Sequence, residues 1–149
     1  MIWLGVIHWV RGRLMSVLDM AAAQGSDPLD SLEKMFFAHL GFVEKVPAIP
    51  KLIFTNQLLK NNPRIRELVR SILTDYEEKV SGLIVQARTQ SLVRADLDER
   101  AAAVMFTGMI QGLVIRVPII EARKSLVEEG RLIYPIFLHG IGGVRPGGM

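Results

Sequence analysis

The side chains that could carry chemistry in this sequence are few and poorly grouped. The three histidines, His8, His39 and His139, fall in separate segments, and the sequence contains no cysteine. A zinc site needs clustered ligands and usually a local pair such as His-x-x-x-His. Thiolate catalysis and disulfides both require cysteine. The sequence therefore predicts neither a metal centre nor thiol chemistry.

Acid–base, phosphate and nucleic-acid chemistry are weakly represented as well. The adjacent carboxylates Glu77-Glu78 and Glu128-Glu129 diverge on a helix, so solvated charge is their ordinary interpretation. No glycine-rich phosphate loop follows a strand-like segment, and a Ser-His-Asp set is recognised only from geometry. The net charge of +3 is spread along the chain, which does not indicate a nucleic-acid groove. We expect a protein that is not an enzyme and binds no cofactor.

Methionine and aromatic side chains offer a different kind of site. Methionine adapts to irregular shapes, and a cavity lined by Met and Phe suits apolar ligands of variable form. His39, Tyr76 and Gln111 could orient such a ligand through their polar groups. The residues that we expect to line the site are Met15, Phe36, Phe37, His39, Phe54, Tyr76, Met105, Met109 and Gln111. Core packing is the more common role for each one singly, and both interpretations stay open.

Helices must position these residues, because apolar side chains recur at helical spacing and no stretch alternates as a strand does. Asp27-Pro28 and Asn62-Pro63 are typical helix starts, in which a capping residue precedes a proline at the first helical position. Asp96 and Glu99 resemble a capping box. The spacing predicts about six helices, over residues 2–23, 28–45, 49–59, 63–87, 97–122 and 131–139. The predicted fold class is therefore all-α, a single-domain helical bundle.

Composition bounds the environment of the protein. Half of its 149 residues are hydrophobic and 22% are charged, which is apolar for a soluble monomer of this size. The longest uncharged run, Ala101 to Ile115, is shorter than the roughly 20 residues of a membrane span. Arg11 and Arg13 follow the apolar amino-terminal stretch, whereas a secretory signal carries its charges before it. We expect a cytoplasmic protein with no membrane segment.

The last two predicted helices carry more apolar surface than a small monomer easily covers. Two such helices from each of two copies would form a four-helix bundle between subunits. Gly108 and Gly112 would let a neighbouring backbone approach closely. We therefore favour a homodimer over packing within one subunit, with an interface formed by Leu113, Arg116, Val117, Ile120, Leu132, Ile133, Ile136 and Phe137.

The order of these segments resembles the carboxy-terminal domain of the tetracycline-repressor-like (TetR) family. The resemblance runs from about Trp9 to Ile141 and is carried by DPLDSLEKMF, PAIPKLIF, NPRIRELVRSILTDYEEKVSGLIVQA, VRADLDERAAAVMFTGMIQGLVIR and LVEEGRLIYPIFLHGI. These segments are patterns of residue type and spacing rather than catalytic signatures. One small departure is Ser91, where relatives often have glycine.

The resemblance implies a transcriptional regulator that dimerises through its last two helices and senses a small apolar or amphipathic effector. Residues 1–139 would form the effector-binding and dimerisation domain, and 140–149 a flexible tail. Members of the family carry a helix-turn-helix head before this domain, and the sequence has none. We therefore expect a truncated regulator, which binds DNA only if that head is present in the full-length protein. The alternative is a helical dimerisation or protein-interaction module with no ligand.

Overall fold

The computed structural model describes residues 2–46, 60–120 and 124–142, with the side chains of Ile2 and Trp3 left out of the description. All regular secondary structure in these ranges is helical. Five helices follow one another along the chain: α1 (Ile2–Ala23), α2 (Pro28–Lys45), α3 (Pro63–Thr89), α4 (Glu99–Ile120) and α5 (Leu126–Gly142). The all-α prediction is therefore confirmed for the described part of the chain.

The helix bounds agree with the sequence for the first two helices and differ by a few residues for the later described ones. The described ranges hold five helices rather than six, and the expected short helix at 49–59 lies outside them. α1 and α2 have the predicted bounds, α3 is two residues longer, and α4 begins at Glu99 instead of Leu97. α5 begins five residues before Arg131 and ends at Gly142. Residues 140–142 of the expected tail are thus helical, and 143–149 lie outside the described residues.

Gly130 lies inside α5, one residue before the predicted start of the last helix. The start of α5 is capped by the Ser125 hydroxyl, which accepts from the Glu128 amide at 2.9 Å. A Cβ atom at Gly130 would lie 2.5 Å from Leu40 Cδ1 and 3.1 Å from Phe36 Cε2. Gly130 therefore allows α5 to approach α2 closely, and this packing offsets the weak helix propensity of glycine.

The capping prediction is right at α2 and wrong at α4. At α2, Asp27 Oδ1 accepts a hydrogen bond from the Asp30 amide at 2.8 Å, and Pro28 is the first helical residue. At α4 the capping side chain is Asp98, which accepts from the Ala101 amide at 2.9 Å. Asp96 instead pairs with Arg94 at 3.3 Å. The helix begins two residues later than expected, so the cap moves with it.

An aromatic cluster holds α2, α4 and α5 together. The ring centroid of Phe36 lies 4.7 Å from that of Tyr134 and 5.7 Å from that of Phe106. Phe106 in turn lies 6.0 Å from Phe137. All four side chains are buried, and offset or edge contacts of this kind each contribute about 0.5–1.5 kcal/mol beyond area burial. The cluster thus packs the two carboxy-terminal helices, α4 and α5, against α2.

The α3–α4 connection is tied to both of its helices. Arg88 donates to the carbonyl of Leu97 at 2.7 Å and to the Glu99 carboxylate at 3.1 Å. The hydrogen bond from Arg88 holds the pKa of Glu99 below its usual value. Within the connection Ser91 adopts φ 59°, a left-handed conformation that favours glycine.

One helix in the described ranges, α4, is long and apolar enough to cross a membrane by length and composition alone. An 18-residue stretch of α4 has a mean hydropathy of 1.8, and 39% of that stretch is buried inside the protein. The core helix of a soluble protein passes the same test, and Ala103, Phe106 and Ile110 of α4 belong to the core. α4 thus carries one apolar face in the core and a second apolar face at the surface.

Candidate ligand-binding cavity

A cavity of about 100 Å³ lies among α1, α2, α3 and α4. Its described walls are almost entirely apolar, and no Asp, Glu, Lys or Arg contributes to them. The lining residues are Val10, Leu14, His39, Phe42, Val43, Val46, Val69, Ile72, Leu73, Tyr76, Thr107, Ile110, Gln111 and Val114. Four helices therefore enclose a small apolar space with a few polar groups in its wall.

Helical periodicity explains why these residues face the same space. Within each helix the lining positions are three, four or seven residues apart, with one adjacent pair on each of α2, α3 and α4. Side chains at such spacing lie on one face of an α-helix. Val10 and Leu14 on α1, for example, are one turn apart, as are Ile72 and Tyr76 on α3. The cavity is thus bounded by one stripe from each helix.

His39 and Tyr76 form the main polar contact in the wall. His39 Nδ1 lies 2.8 Å from the Tyr76 hydroxyl, and the ring centroids are 5.3 Å apart. Tyr76 is 2% exposed, and His39 is partly buried. Burial lowers the pKa of His39 to about 4 and raises the pKa of Tyr76 well above its usual value, because an apolar environment disfavours the charged forms. Both groups are therefore neutral at neutral pH.

The two remaining polar residues of the wall, Thr107 and Gln111, both come from α4. Thr107 is buried, and its hydroxyl lies 3.3 Å from the Ala103 carbonyl, 3.2 Å from the Val104 carbonyl and 3.4 Å from the Glu77 carboxylate. Its acceptors thus lie in its own helix, as is common for buried Thr hydroxyls, and on α3. Gln111 lines the cavity one turn further along and is partly exposed. Its amide is therefore the second group, beside His39, that is available to a bound molecule.

The structure brings together three of the nine predicted ligand-binding residues, namely His39, Tyr76 and Gln111. Phe54 lies outside the described residues. The other five line no part of the cavity. Phe36 is buried in the aromatic cluster, and Phe37 lies beside it. Met15 borders a surface recess with Asp75, Met105 is 59% exposed on α4, and Met109 packs on the core. The polar predictions thus coincide with the cavity wall, and the Met and Phe predictions do not.

Sequence reasoning missed the aliphatic part of the wall. Ten of the fourteen lining residues are Val, Leu, Ile or Phe, and none of these ten was singled out. Periodicity held a usable signal, because Phe42, Val43 and Val46 lie three, four and seven residues after His39 and so share its helix face. Residue type alone favours Met and Phe, whereas the aliphatic wall is found from the helix face on which the polar residues lie.

The predicted interface residues separate into buried and exposed groups. Leu113, Val117 and Phe137 are at most 7% exposed and belong to the core of the subunit, so they do not lie on its surface. Ile133 is partly buried. Ile120, Leu132 and Ile136 are 57%, 66% and 73% exposed, and Arg116 is exposed as well. Helical position explains this difference, because each buried residue lies on the face of its helix that packs into the core.

Seven of the ten large hydrophobic side chains exposed among the described residues lie on α4 and α5. We call these seven the α4/α5 face: Val104, Met105, Ile115, Ile119, Ile120, Leu132 and Ile136. Gly108 and Gly112 are exposed on the same helix, and a Cβ atom at either would meet no atom within 4 Å. Concentrations of exposed apolar side chains of this kind mark interaction surfaces.

Two ion pairs join α1 to α3 beside the cavity. Arg11, next to the lining residue Val10, pairs with Asp75, next to the lining residue Tyr76. Lys79 pairs with Asp19 at 2.6 Å. Exposed pairs are worth at most about 1 kcal/mol each, so their contribution to stability is small. They link α1 to α3, two of the helices that border the cavity.

Comparison with known proteins supports a TetR-like fold. No family model matches the sequence. The chain is similar to the nucleoid occlusion factor SlmA, a TetR-family protein, of Vibrio campbellii (19% identical) and of Vibrio cholerae (20% identical). Each match extends over 112 residues, which are 75% of this chain and 57% of the relative. The chain thus spans little more than half the length of the curated relatives that it matches.

A solved structure agrees with these sequence matches. The fold resembles that of the ketosteroid transcriptional regulator KstR2 of Mycobacterium tuberculosis, also of the TetR family, with a TM-score of 0.72 and 17% sequence identity. The match covers 88% of this chain and 66% of that chain. The chain therefore has an all-helical, TetR-like fold, and the proteins with which it shares that fold are a regulator and a nucleoid occlusion factor.

Proposed function

We propose that this chain is the small-molecule-sensing and dimerisation part of a TetR-like transcriptional regulator. The observation that carries the proposal is the apolar cavity, which is bounded by four helices and holds a neutral His39–Tyr76 pair in its wall. Small-molecule sites are typically apolar, with a few polar groups that orient the ligand. The likeness to KstR2 and SlmA supports a regulatory context for such a site.

The proposed mechanism is a population shift of the position of α1. Val10 and Leu14 form one side of the cavity, and Arg11 and Asp19 on the same helix pair with α3. A ligand that fills the cavity stabilises the arrangement of α1 and α3 in which it fits best. It can shift the equilibrium only by its difference in affinity between the two arrangements. In this way α1 would report the presence of the ligand.

The α4/α5 face supports the dimerisation half of the proposal. Its exposed apolar side chains lie on two neighbouring helices, which in two copies would make an isologous four-helix bundle. The exposed Gly108 and Gly112 leave room for a helix of the second copy. We propose that this face, rather than Leu113, Val117 and Phe137, is the subunit interface.

A melting experiment tests the sensing proposal. We expect some neutral or amphipathic molecules of a broad library to raise the melting temperature saturably, since a ligand that binds only the folded state stabilises it. Val114→Phe, which places a larger side chain in the wall of the 100 Å³ cavity, should abolish the response. Val85→Phe, at a 38% exposed position of α3 outside the cavity, is the matched control. A library without a single stabilising compound would contradict sensing.

A helical dimerisation or protein-interaction module without a ligand is the second candidate. The observation that favours it is the cavity volume of about 100 Å³, compared with roughly 300–1,000 Å³ for typical ligand pockets. This candidate predicts that Val114→Phe raises stability by filling an empty space and that no library compound changes the melting temperature. The sensing proposal predicts the opposite for the compounds, so one set of measurements separates the two.

A further inference from the structure

From the cavity wall we infer that the effector is a compact uncharged molecule, apolar except for one hydrogen-bond acceptor that meets His39 Nε2–H. This inference rests on the proposed sensing function and specifies its ligand. Three features of the wall carry it: the lack of charge among the described lining residues, the hydrogen-bonding state of His39, and the volume of the space.

The lack of charge determines the charge of the ligand. No ionised side chain is among the described residues that line the cavity. Moving an ionised carboxylate, amine or phosphate from water into such a space carries a large desolvation penalty when no opposite charge compensates it. A neutral ligand avoids that penalty, and its apolar surface gains from leaving water. The described part of the wall therefore favours an uncharged ligand over an ionised one.

The hydrogen bond to Tyr76 determines which nitrogen of His39 carries the proton. The Tyr76 hydroxyl has Nδ1 as its one hydrogen-bond partner among the described residues. If Nδ1 donated, the hydroxyl proton would have no described acceptor, although Tyr76 is 2% exposed. Buried donors are rarely left without an acceptor, so the hydroxyl donates to Nδ1. In neutral imidazole the proton then lies on Nε2, which is a donor.

This donor has no partner among the described residues, and it belongs to a side chain in the cavity wall. A carbonyl or ether oxygen of a bound molecule would satisfy it. Gln111, on another helix of the same wall, can donate to the same oxygen through its amide. A hydrocarbon of equal size would leave the donor unsatisfied, which lowers its affinity.

The volume limits the size of the ligand. An apolar protein cavity of roughly 150 Å³ accepts benzene, which has six heavy atoms. The cavity of about 100 Å³ is somewhat smaller. A ligand of about five or six heavy atoms fits with small adjustments of the side chains, and a larger one requires displacement of a helix. Small ketones, lactones and cyclic ethers meet all three conditions.

Four probes of matched size test the inference by melting and by NMR of the histidine side chains. They are cyclopentanone, methylcyclopentane, cyclopentylammonium and isobutyrate. We expect cyclopentanone to bind saturably and to shift the Nε2 resonance of His39. The affinity of cyclopentanone relative to methylcyclopentane should be about fivefold higher in the wild type than in a variant without the donor, since only the ketone carries the acceptor, and neither ion should bind.

Two variants assign the acceptor contact to His39. His39→Phe removes the donor and leaves the ketone oxygen without a partner, so the affinity of cyclopentanone relative to methylcyclopentane should fall. Tyr76→Phe removes the group that holds the proton on Nε2, so the preference for the ketone should decrease. In the wild-type protein the NMR shift of Nε2 gives the same information without any substitution, should a variant fail to fold.

The outcomes distinguish this inference from the function on which it rests. If His39→Phe leaves the ratio of ketone to hydrocarbon affinity unchanged, or if either ion binds as tightly as the ketone, the inference is overturned and sensing is left in place. The inference is also overturned, and sensing retained, if no probe binds while larger library compounds raise the melting temperature. If neither the probes nor the library change it, both proposals are wrong.

Discussion

His39 Nδ1 lies 2.8 Å from the hydroxyl oxygen of Tyr76, and this hydrogen bond joins α2 to α3 in the wall of an apolar cavity. Each group partly offsets the desolvation of the other, because both remain neutral and hydrogen-bonded. Tyr134, the other tyrosine of the protein, is equally buried, but its hydroxyl has no hydrogen-bond partner among the described residues. We therefore expect the hydroxyl of Tyr76 to stabilise the fold and the hydroxyl of Tyr134 to destabilise it.

Replacement of each tyrosine by phenylalanine measures this difference. Tyr134→Phe removes an unsatisfied buried hydroxyl and keeps the ring, so the free energy of unfolding should stay equal or rise by up to about 1 kcal/mol. Tyr76→Phe leaves His39 Nδ1 without its partner and should lower that free energy by about 1–2 kcal/mol. Urea denaturation checks both, and each variant is the control for the other. A larger loss for Tyr134→Phe than for Tyr76→Phe would contradict the assignment.

The depressed pKa of His39 predicts a loss of stability in mild acid. Burial lowers this pKa from 6.5 to about 4 in the folded protein, so between these values the unfolded chain binds the proton more readily. Above pH 6.5 this histidine does not lower the free energy of unfolding. As the pH falls from 6.5 to 4, the free energy of unfolding decreases by up to about 3 kcal/mol. Urea denaturation across this range measures it.

The matched variants for this prediction are His39→Gln and His8→Gln. His39→Gln should remove most of the slope of stability against pH, because glutamine does not titrate. His8 is exposed, and its replacement should leave the slope unchanged. A difference between wild type and His39→Gln that stays constant from neutral to acidic pH would refute a buried neutral imidazole.

Gly25 is predicted to be irreplaceable in the α1–α2 turn. A Cβ atom there would lie 2.5 Å from the backbone nitrogen of Ser31 and 2.6 Å from its Cα, so the turn would have to shift. Gly25→Ala should lower the free energy of unfolding by about 1–3 kcal/mol. Gly12→Ala is the control, since a Cβ atom meets nothing within 4 Å at that exposed helical position; it should raise stability by about 0.5–1 kcal/mol. Thermal melting compares the two, and changes of the same sign would speak against the steric account.

Ser91 offers a route to a more stable protein. Its φ of 59° costs a residue with a Cβ atom about 1–2 kcal/mol, while glycine loses about 0.4–1 kcal/mol through the greater freedom of the unfolded chain. Ser91→Gly should therefore raise stability by about 0.5–1 kcal/mol, or about 1–4 °C in melting temperature. Ser91→Ala keeps the Cβ atom and should give no gain. Equal effects of the two variants would exclude the backbone as the cause.

The α4/α5 face predicts which charges break a homodimer. Leu132→Glu and Ile136→Glu place a carboxylate where the second copy would pack, and an unpaired buried charge costs about 3 kcal/mol or more. The dimer dissociation constant should thus rise at least about a hundredfold. Sedimentation or light scattering checks this, with Met20→Glu as control because Met20 is 65% exposed on α1 and Leu132 66% exposed on α5. An intact Leu132→Glu dimer would place the interface elsewhere.

Much of the fold was readable from local patterns. α1 and α2 begin and end where apolar periodicity, Gly25 and the Asp27-Pro28 signal predict. These signals are local: a capping side chain or a proline acts on backbone groups within one turn. The polar residues of the cavity wall, His39, Tyr76 and Gln111, were also identified from their type alone.

Only the tertiary structure decided which apolar residues share a space. Phe36 and Met105 are both large apolar residues within helical segments, yet Phe36 is fully buried in the aromatic cluster and Met105 is 59% exposed. Gly130 precedes the predicted start of the last helix, yet in the structure it lies within α5 at a close contact with α2. Helical spacing determines which residues share a face, but the partner of that face depends on how distant segments pack. The cavity and the α4/α5 face are set by that packing.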